Sequence, residues 1–267
     1  MEIIDAHAHI YPSKIAQKAT ETIGKFYDIK MEMPAGTPEA LIEDGKRAGI
    51  SKFIVHSCAT KPEQVRAINE FIKREIDSHK EFIGFMTLHQ GLTEDEIASE
   101  LNWCFENGFK GIKMHPDFQK FYIDGLDAQK IYNVLNEFGK SMPILFHTGD
   151  DRYPYSEPER LCLMAKKYPK LKFIGAHFGG YRCWHKAEMY KGIENVYFDT
   201  CSSLPFIDSQ TAKRLIDSLG YEKFLFGTDF PMWDAKEELE RFLSIKLTDS
   251  ERECILSKNA KSLLEIE

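Results

Sequence analysis

Pro143-Ile144-Leu145-Phe146-His147-Thr148-Gly149 is a short, unbroken apolar run that closes on a histidine and a turn. A strand with one wet face alternates apolar and polar residues. A run apolar at every position instead suits a strand buried on both faces, as in a parallel sheet covered by helices. The same figure recurs along the chain. Further candidate strands fall at Glu2–His7, Lys52–His56, Phe82–Leu88, Gly111–His115, Lys172–His177, Asn195–Asp199 and Lys223–Gly227. Helical patterns separate them. Thr37-Pro38-Glu39 offers an N-cap and a first-turn proline, Thr93 to Glu96 reads as a capping box, and Val65, Ile68, Phe71, Ile72 and Ile76 share one helical face. Further helices are expected over Ala128–Phe138, Glu159–Tyr168, Lys186–Gly192, Asp208–Leu219 and Ala235–Phe242.

The polar residues that close the strands are His9, His56, His89, His115, His147, His177, Asp199 and Asp229, with spacings of 22 to 47 residues. Each spacing holds one strand and one helix. Eight such units in 267 residues imply a (β/α)8 TIM barrel forming a single domain over 1–267. A doubly wound open sheet is the alternative, but no GxGxxG follows the first strand. Two stretches exceed the minimum. Pro12 to Thr37 leaves room for an extra helix around Lys14–Thr22 and a loop over the barrel mouth, and Leu247–Leu264 supplies one or two terminal helices.

Composition narrows the class. With 43% apolar residues the chain can bury a core without a disulfide or metal staple, and its net charge of -7 argues against nucleic acid or an anionic membrane as partner. The six cysteines form no CxxC, the N-terminus lacks a basic, long-apolar signal, and no apolar run is long enough to span a membrane. A cytoplasmic protein with reduced thiols and a small-molecule partner is expected; a homodimer is compatible with this.

Seven of the nine histidines (7, 9, 56, 89, 115, 147 and 177) fall at or just beyond predicted strand ends, leaving out His79 and His185. All strand C-termini of a parallel barrel meet at one face, where active sites are built. Imidazole is the commonest neutral metal ligand, so a metal site is the natural reading. His7 and His9 stand at i and i+2, on one face and roughly 6–7 Å apart, and can bracket one ion. The bland alternatives are incidental histidines on an edge strand, core histidines bonded to carbonyls at 147 and 177, and a helix cap at Asp229. Ile3, Ile4 and Ile10 favour a buried first strand, and Phe230-Pro231 disfavours simple capping.

Taken together, the segments DAHAHI, GIKMHP, ILFHTG, GAHFGG and FGTDFP resemble the amidohydrolase superfamily over nearly the whole chain. The closest likeness is its amidohydrolase-2 branch of metal-dependent TIM-barrel hydrolases and decarboxylases. The resemblance implies one divalent ion, zinc first and manganese among the alternatives, held by His7, His9, His147 and Asp229. His177 would then contact water or substrate, although some relatives use both latter histidines as ligands. Some amidohydrolases carry a carboxylated lysine on the fourth strand; for Lys113 the expectation is instead a packed lysine paired with an acid.

Such a site can run hydrolysis, with Asp229 as the base and His177 holding the water or a developing oxyanion. Hydrolysis of a small carboxylated substrate is the expectation, with decarboxylation of a small unsaturated or aromatic acid as the alternative. A catalytically silent binding barrel is disfavoured because every ligand position is filled. Arg152 and Arg182 are candidates for a substrate carboxylate, since a guanidinium fork matches that group, with surface pairing as the alternative. His115 is a further substrate-contact candidate. Tyr153, Tyr155 and Trp184 could form an aromatic wall, and Cys58 and Cys201 read as small core residues.

Overall fold

All eight expected strands form. The computed structural model describes residues 2–267. The strands are β1 (Ile4–His9), β2 (Lys52–His56), β3 (Phe82–Thr87), β4 (Gly111–Met114), β5 (Ile144–Phe146), β6 (Phe173–Gly175), β7 (Val196–Asp199) and β8 (Phe224–Leu225). They pair in sequence order as one parallel sheet. The seam between β8 and β1 is carried mostly by chain beyond the two-residue β8. Ala6 N–H donates to the Phe226 carbonyl (2.7 Å), Asp229 N–H to that of His7 (2.8 Å), and His9 N–H to that of Phe230 (2.8 Å). This zipper closes the barrel and sets Asp229 beside the first strand.

The helices follow the sequence signals closely. Two helices, α1 (Ser13–Tyr27) and α2 (Pro38–Ala48), lie between β1 and β2, followed by α3 (Val65–Ser78) and α4 (Glu94–Glu106). Thr37 caps α2 through the Ala40 N–H, and the Thr93–Glu96 capping box opens α4. A short α5 (Pro116–Gln119) precedes α6 (Leu126–Phe138), and α7 (Pro158–Lys167), α8 (Ser209–Leu219) and α9 (Ala235–Leu243) follow in turn. The C-terminal stretch is α10 (Asp249–Glu253), a π-turn segment and α11 (Asn259–Leu264).

Three elements differ from expectation. The inserted helix α1 runs on to Tyr27 before Asp28 ends it in the left-handed conformation. The short α5 had no periodic signal because it is one turn long. The helix expected at 186–192 is a 3-10 helix, Trp184–Tyr190. Between β6 and β7 much of the chain is spent on the turn that carries His177, and a 3-10 helix, rising about 2.0 Å per residue against 1.5, spans the rest with fewer residues.

Beneath the mouth the barrel is apolar. Ile54 and Leu145 stand two residues before His56 and His147, and so share their strand faces. They cluster with Phe85, Ile174 and Leu225, against Leu263 and Leu264 of α11. Gly111, on the face of Lys113, leaves the room that Phe85 fills: a Cβ there would stand 2.4 Å from its ring. The same strands thus carry an apolar floor and a polar mouth. No described helix is long and apolar enough to cross a membrane.

Candidate metal centre

Alternation along β1 points Asp5, His7 and His9 into the barrel, all buried. His7 Nδ1 donates to Asp199 Oδ2 at 2.7 Å, which fixes the tautomer and leaves the Nε2 lone pair facing the mouth. His7 Nε2 lies 3.3 Å from His9 Nε2, and each lies 3.4 Å from Asp229 Oδ1. Donors at about 2.1 Å from a shared tetrahedral ion stand roughly 3.4 Å apart, so these three atoms have the spacing one cation requires. Burial by itself would raise Asp229, but the neighbouring His7 and His9 imidazoles outweigh it and hold the carboxyl well below the ordinary range. The other oxygen of Asp229 accepts from Ser202 Oγ, which in turn accepts from Trp233 Nε1 at 2.9 Å. Deeper in, Asp5 accepts from the His7 and Thr228 N–H groups and the Thr228 hydroxyl, and burial pushes it up to about 7.

The opposite wall comes from β4, β5 and β6. His147 Nε2 donates to the Gly149 carbonyl at 2.9 Å, leaving Nδ1 as its free lone pair. His177 stands in a left-handed turn (φ 62°) with Nδ1 toward the Cys201 carbonyl at 3.2 Å, leaving Nε2 free. The two free nitrogens face each other at 2.9 Å. Two lone pairs at that distance repel unless a proton or cation lies with them. Burial holds His147 well below the ordinary value and His177 at about 4, so near neutral pH neither ring supplies the proton. Both walls therefore present ring nitrogens and a carboxylate, a donor set that fits a divalent ion once Lys113 Nζ, 2.8 Å from His7 Nε2, turns aside. Gly149 permits the close approach: its φ is +83°, and a Cβ would stand 2.6 Å from Tyr181 N.

His7, His9, Lys113, His115, His147, His177 and Asp229 all line one small cavity. Lys113 has no acidic partner among the described residues, contrary to its expected pairing; its Nζ donates to His7 Nε2 at 2.8 Å. His115 lies between Phe118 and His147, with ring centroids 3.8 and 4.2 Å away. His56 packs behind, edge-on to His7 and His9, with neither ring nitrogen hydrogen-bonded. His89 Nδ1 accepts from Gly91 N–H in its own turn and does not reach the cavity.

Arg152 and Arg182 are absent from the cavity lining. Arg152 grips Asp150 through Nε (3.0 Å) and Nη2 (2.8 Å) and donates its remaining arm to the Phe26 carbonyl at the end of α1. Arg182 lies 3.8 Å over the Phe206 ring. The Arg152 fork is thus engaged and Arg182 packs on a ring, and neither reaches the cavity in this structure. Tyr153 stacks on Phe26, Tyr155 meets Tyr122 at a tilt, and Trp184 stacks on Phe206, so the cavity's aromatic wall is instead Tyr27, Phe118 and Tyr181. Cys201 is closer to the chemistry than a core residue, with Sγ 3.3 Å from Nδ1 of both His7 and His177.

The sequence reading missed Tyr27, Ser202 and the orienting role of Asp199. Asp199 had a signal, its place at a strand end. Ser202 and Tyr27 had none, since both lie outside any strand pattern.

A parallel eight-stranded barrel with convergent His and Asp side chains at its mouth defines a TIM-barrel protein of the metal-dependent type. The chain belongs to the amidohydrolase family, whose sequence profile matches residues 4–266. Among solved structures, it resembles an uncharacterized TIM-barrel protein from Bordetella bronchiseptica (TM-score 0.82, 18% identity, 99% of each chain covered). It also resembles 5-carboxyvanillate decarboxylase from Sphingomonas paucimobilis (TM-score 0.77, 10% identity, covering 100% of this chain and 99% of that one). A third is a dihydroxybenzoic acid decarboxylase from a Polaromonas species, with bound manganese and the inhibitor 2-nitroresorcinol (TM-score 0.73, 18% identity, 99% and 97% covered). At these identities the likeness establishes the fold. No curated protein matches the sequence.

Proposed function

We propose that this chain is a metal-dependent decarboxylase of a small aromatic or unsaturated acid, with His7, His9, Asp229, His147 and His177 as the ligand set. The observation that carries the reading is the cavity's lining. Acceptor-only groups share it with a single cation, Lys113, under a cap of flat and apolar side chains: Tyr27, Phe118, Tyr181, Ile23 and Met232. The decarboxylases of the same fold are its second support, and the relative with manganese makes that ion the first to test, ahead of the zinc favoured by sequence.

A divalent ion at this position supplies a Lewis acid that offsets the charge of the substrate's oxygens. The protein's own groups do the rest. Aromatic rings hold a planar acid against the acceptor walls and keep water out. When the bond to the carboxylate breaks and CO2 leaves, its electron pair stays on carbon, and the Lys113 ammonium delivers the proton that carbon takes up. Both ring nitrogens of His177 are accounted for as a carbonyl donor and a lone pair, so the neutral ring has no proton to offer an oxyanion. That supports reading His177 as a ligand rather than as an acid.

Hydrolysis is the second reading, favoured by one observation. Asp229 is held as a carboxylate beside His7 and His9, where it can take a proton from water. One assay separates the two. Manganese-loaded protein is incubated with hydroxybenzoates and unsaturated acids while CO2 is measured, and in parallel with lactones and amides while acid release is measured. Decarboxylation predicts CO2 release that chelation stops and that Lys113→Met abolishes at unchanged metal content. Acid release from a lactone or amide, with no CO2 from any acid, would replace it with hydrolysis.

A further inference from the structure

Near the mouth the chain has a short relay whose polarity is fixed from one end. His115 is the N-cap of α5, and its Nδ1 accepts the Phe118 N–H at 3.3 Å. A nitrogen that accepts a hydrogen bond carries no proton. The ring proton therefore sits on Nε2. That nitrogen lies 2.8 Å from the Tyr27 hydroxyl and must be the donor, so the phenol oxygen is the acceptor. The hydroxyl hydrogen of Tyr27 is left over.

Its nearest protein acceptor is Nδ1 of His147 at 3.4 Å; the ring's Nε2, equally distant, carries the proton given to Gly149. An oxygen equidistant from the two nitrogens is not aligned with the Nδ1 lone pair. Tyr27 belongs to the last turn of α1, the helix inserted between β1 and β2, and it lines the cavity opposite the His7–His9–Asp229 wall. Arg152 ties the preceding carbonyl, that of Phe26, to Asp150, which fixes the end of the helix.

We infer that Tyr27 is a specificity-determining residue: its hydroxyl, oriented by the Phe118–His115 relay, donates a hydrogen bond to an anionic oxygen of the bound substrate. This rests on the reading of the cavity as the site of a small acid. The oxygen is a carboxylate or a phenolate, which share the chemistry a phenol donor recognises. The position explains why the sequence supplies an extra helix at the first β/α connection. Besides Lys113, the Ser202 hydroxyl, spent on Asp229, and the Tyr181 hydroxyl are the other side-chain donors in the lining, and an anion needs donors on more than one side.

The test compares wild-type and Tyr27→Phe protein, both loaded with manganese, by calorimetric titration with benzoate (a carboxylate alone), 2-nitrophenol (a phenolate) and 2,6-dihydroxybenzoate (both). Loss of a buried hydrogen bond to a charged oxygen weakens binding by about tenfold or more. The inference expects that loss for benzoate or for 2-nitrophenol, whichever presents the right oxygen, and for 2,6-dihydroxybenzoate, with metal content unchanged. Equal affinities of the two proteins for all three probes would overturn it, as would failure of wild type to bind any of them. An independent readout is the 15N spectrum of the histidine rings, with the His115 signals identified by their absence in His115→Gln. A proton on Nε2 is expected, and one on Nδ1 overturns the relay. Because binding is read without turnover, a Tyr27 effect without CO2 release would sink the decarboxylase reading and leave this one standing.

Discussion

The two walls of the mouth are built on opposite electrostatic plans. On the β1–β7–β8 side, buried carboxylates lock the imidazoles: Asp199 holds His7, Asp229 stands 3.4 Å from His7 and His9, and Ser202 holds Asp229. On the β4–β6 side, backbone carbonyls orient the His147 and His177 rings, Asp199 takes only the His177 main-chain N–H at 2.7 Å, and Asp117, 3.5 Å from His147, is pushed by burial up to about 7. The difference teaches that one wall is preorganised for positive charge, whereas the other is neutral and gains its order from what it binds. A cation's affinity should therefore depend mainly on the first wall, and pH sensitivity near neutrality mainly on the second.

The largest effect expected is from Asp229→Asn, which removes the only charged member of the proposed ligand set. Metal measured by mass spectrometry should fall below one per chain, and turnover should drop on the order of 1000-fold. Full metal content would break the comparison at its root. Asp199→Asn touches no cation and should still weaken metal affinity by about 10–100-fold, because His7 loses the partner that fixes its tautomer. Competition with a fluorescent chelator would measure this.

The second wall shows itself in the metal-free protein. His177 is held at about 4, below its ordinary value, so the unfolded chain takes up the proton first as pH falls. The stability His177 contributes is complete above about 6.5 and is lost as pH falls toward 4. Urea midpoints should fall between pH 7 and pH 5, roughly the window this shift defines, and the drop should shrink in His177→Gln. An equal drop in the variant would move the pH sensitivity elsewhere. The smallest effect expected is from Ser202→Ala, which removes one hydrogen bond from Asp229. That loss of about 1 kcal/mol is roughly a fivefold weakening of metal binding, readable in the same chelator competition.

Much of this arrangement was legible in one dimension. Mostly apolar runs predicted the strands because a strand covered on both faces carries few polar residues; β1, which turns Asp5, His7 and His9 to the barrel interior, is the exception. His7, His9, His115, His147, His177 and Asp229 all reach the cavity as their strand-end positions implied. The reading failed where a side chain's role depends on its partner. Arg152 and Arg182 have the chemistry to bind a carboxylate, but Asp150, the Phe26 carbonyl and the Phe206 ring occupy them. His89 and His56 share the strand-end signature but not the cavity, since one bonds its own turn and the other points behind its neighbours.

By itself the sequence determined the barrel, its eight units and the residues gathered at its mouth, because hydrophobic periodicity and strand-end position are local properties of the chain. Only the tertiary structure decided which nitrogen of each ring is free, that Lys113 faces His7 rather than an acid, and that Tyr27 arrives from an inserted helix to cap the cavity. Those outcomes depend on hydrogen bonds between residues up to 192 positions apart, as His7 and Asp199 are. Tautomer and direction follow from such partners, and no local pattern along the chain records them.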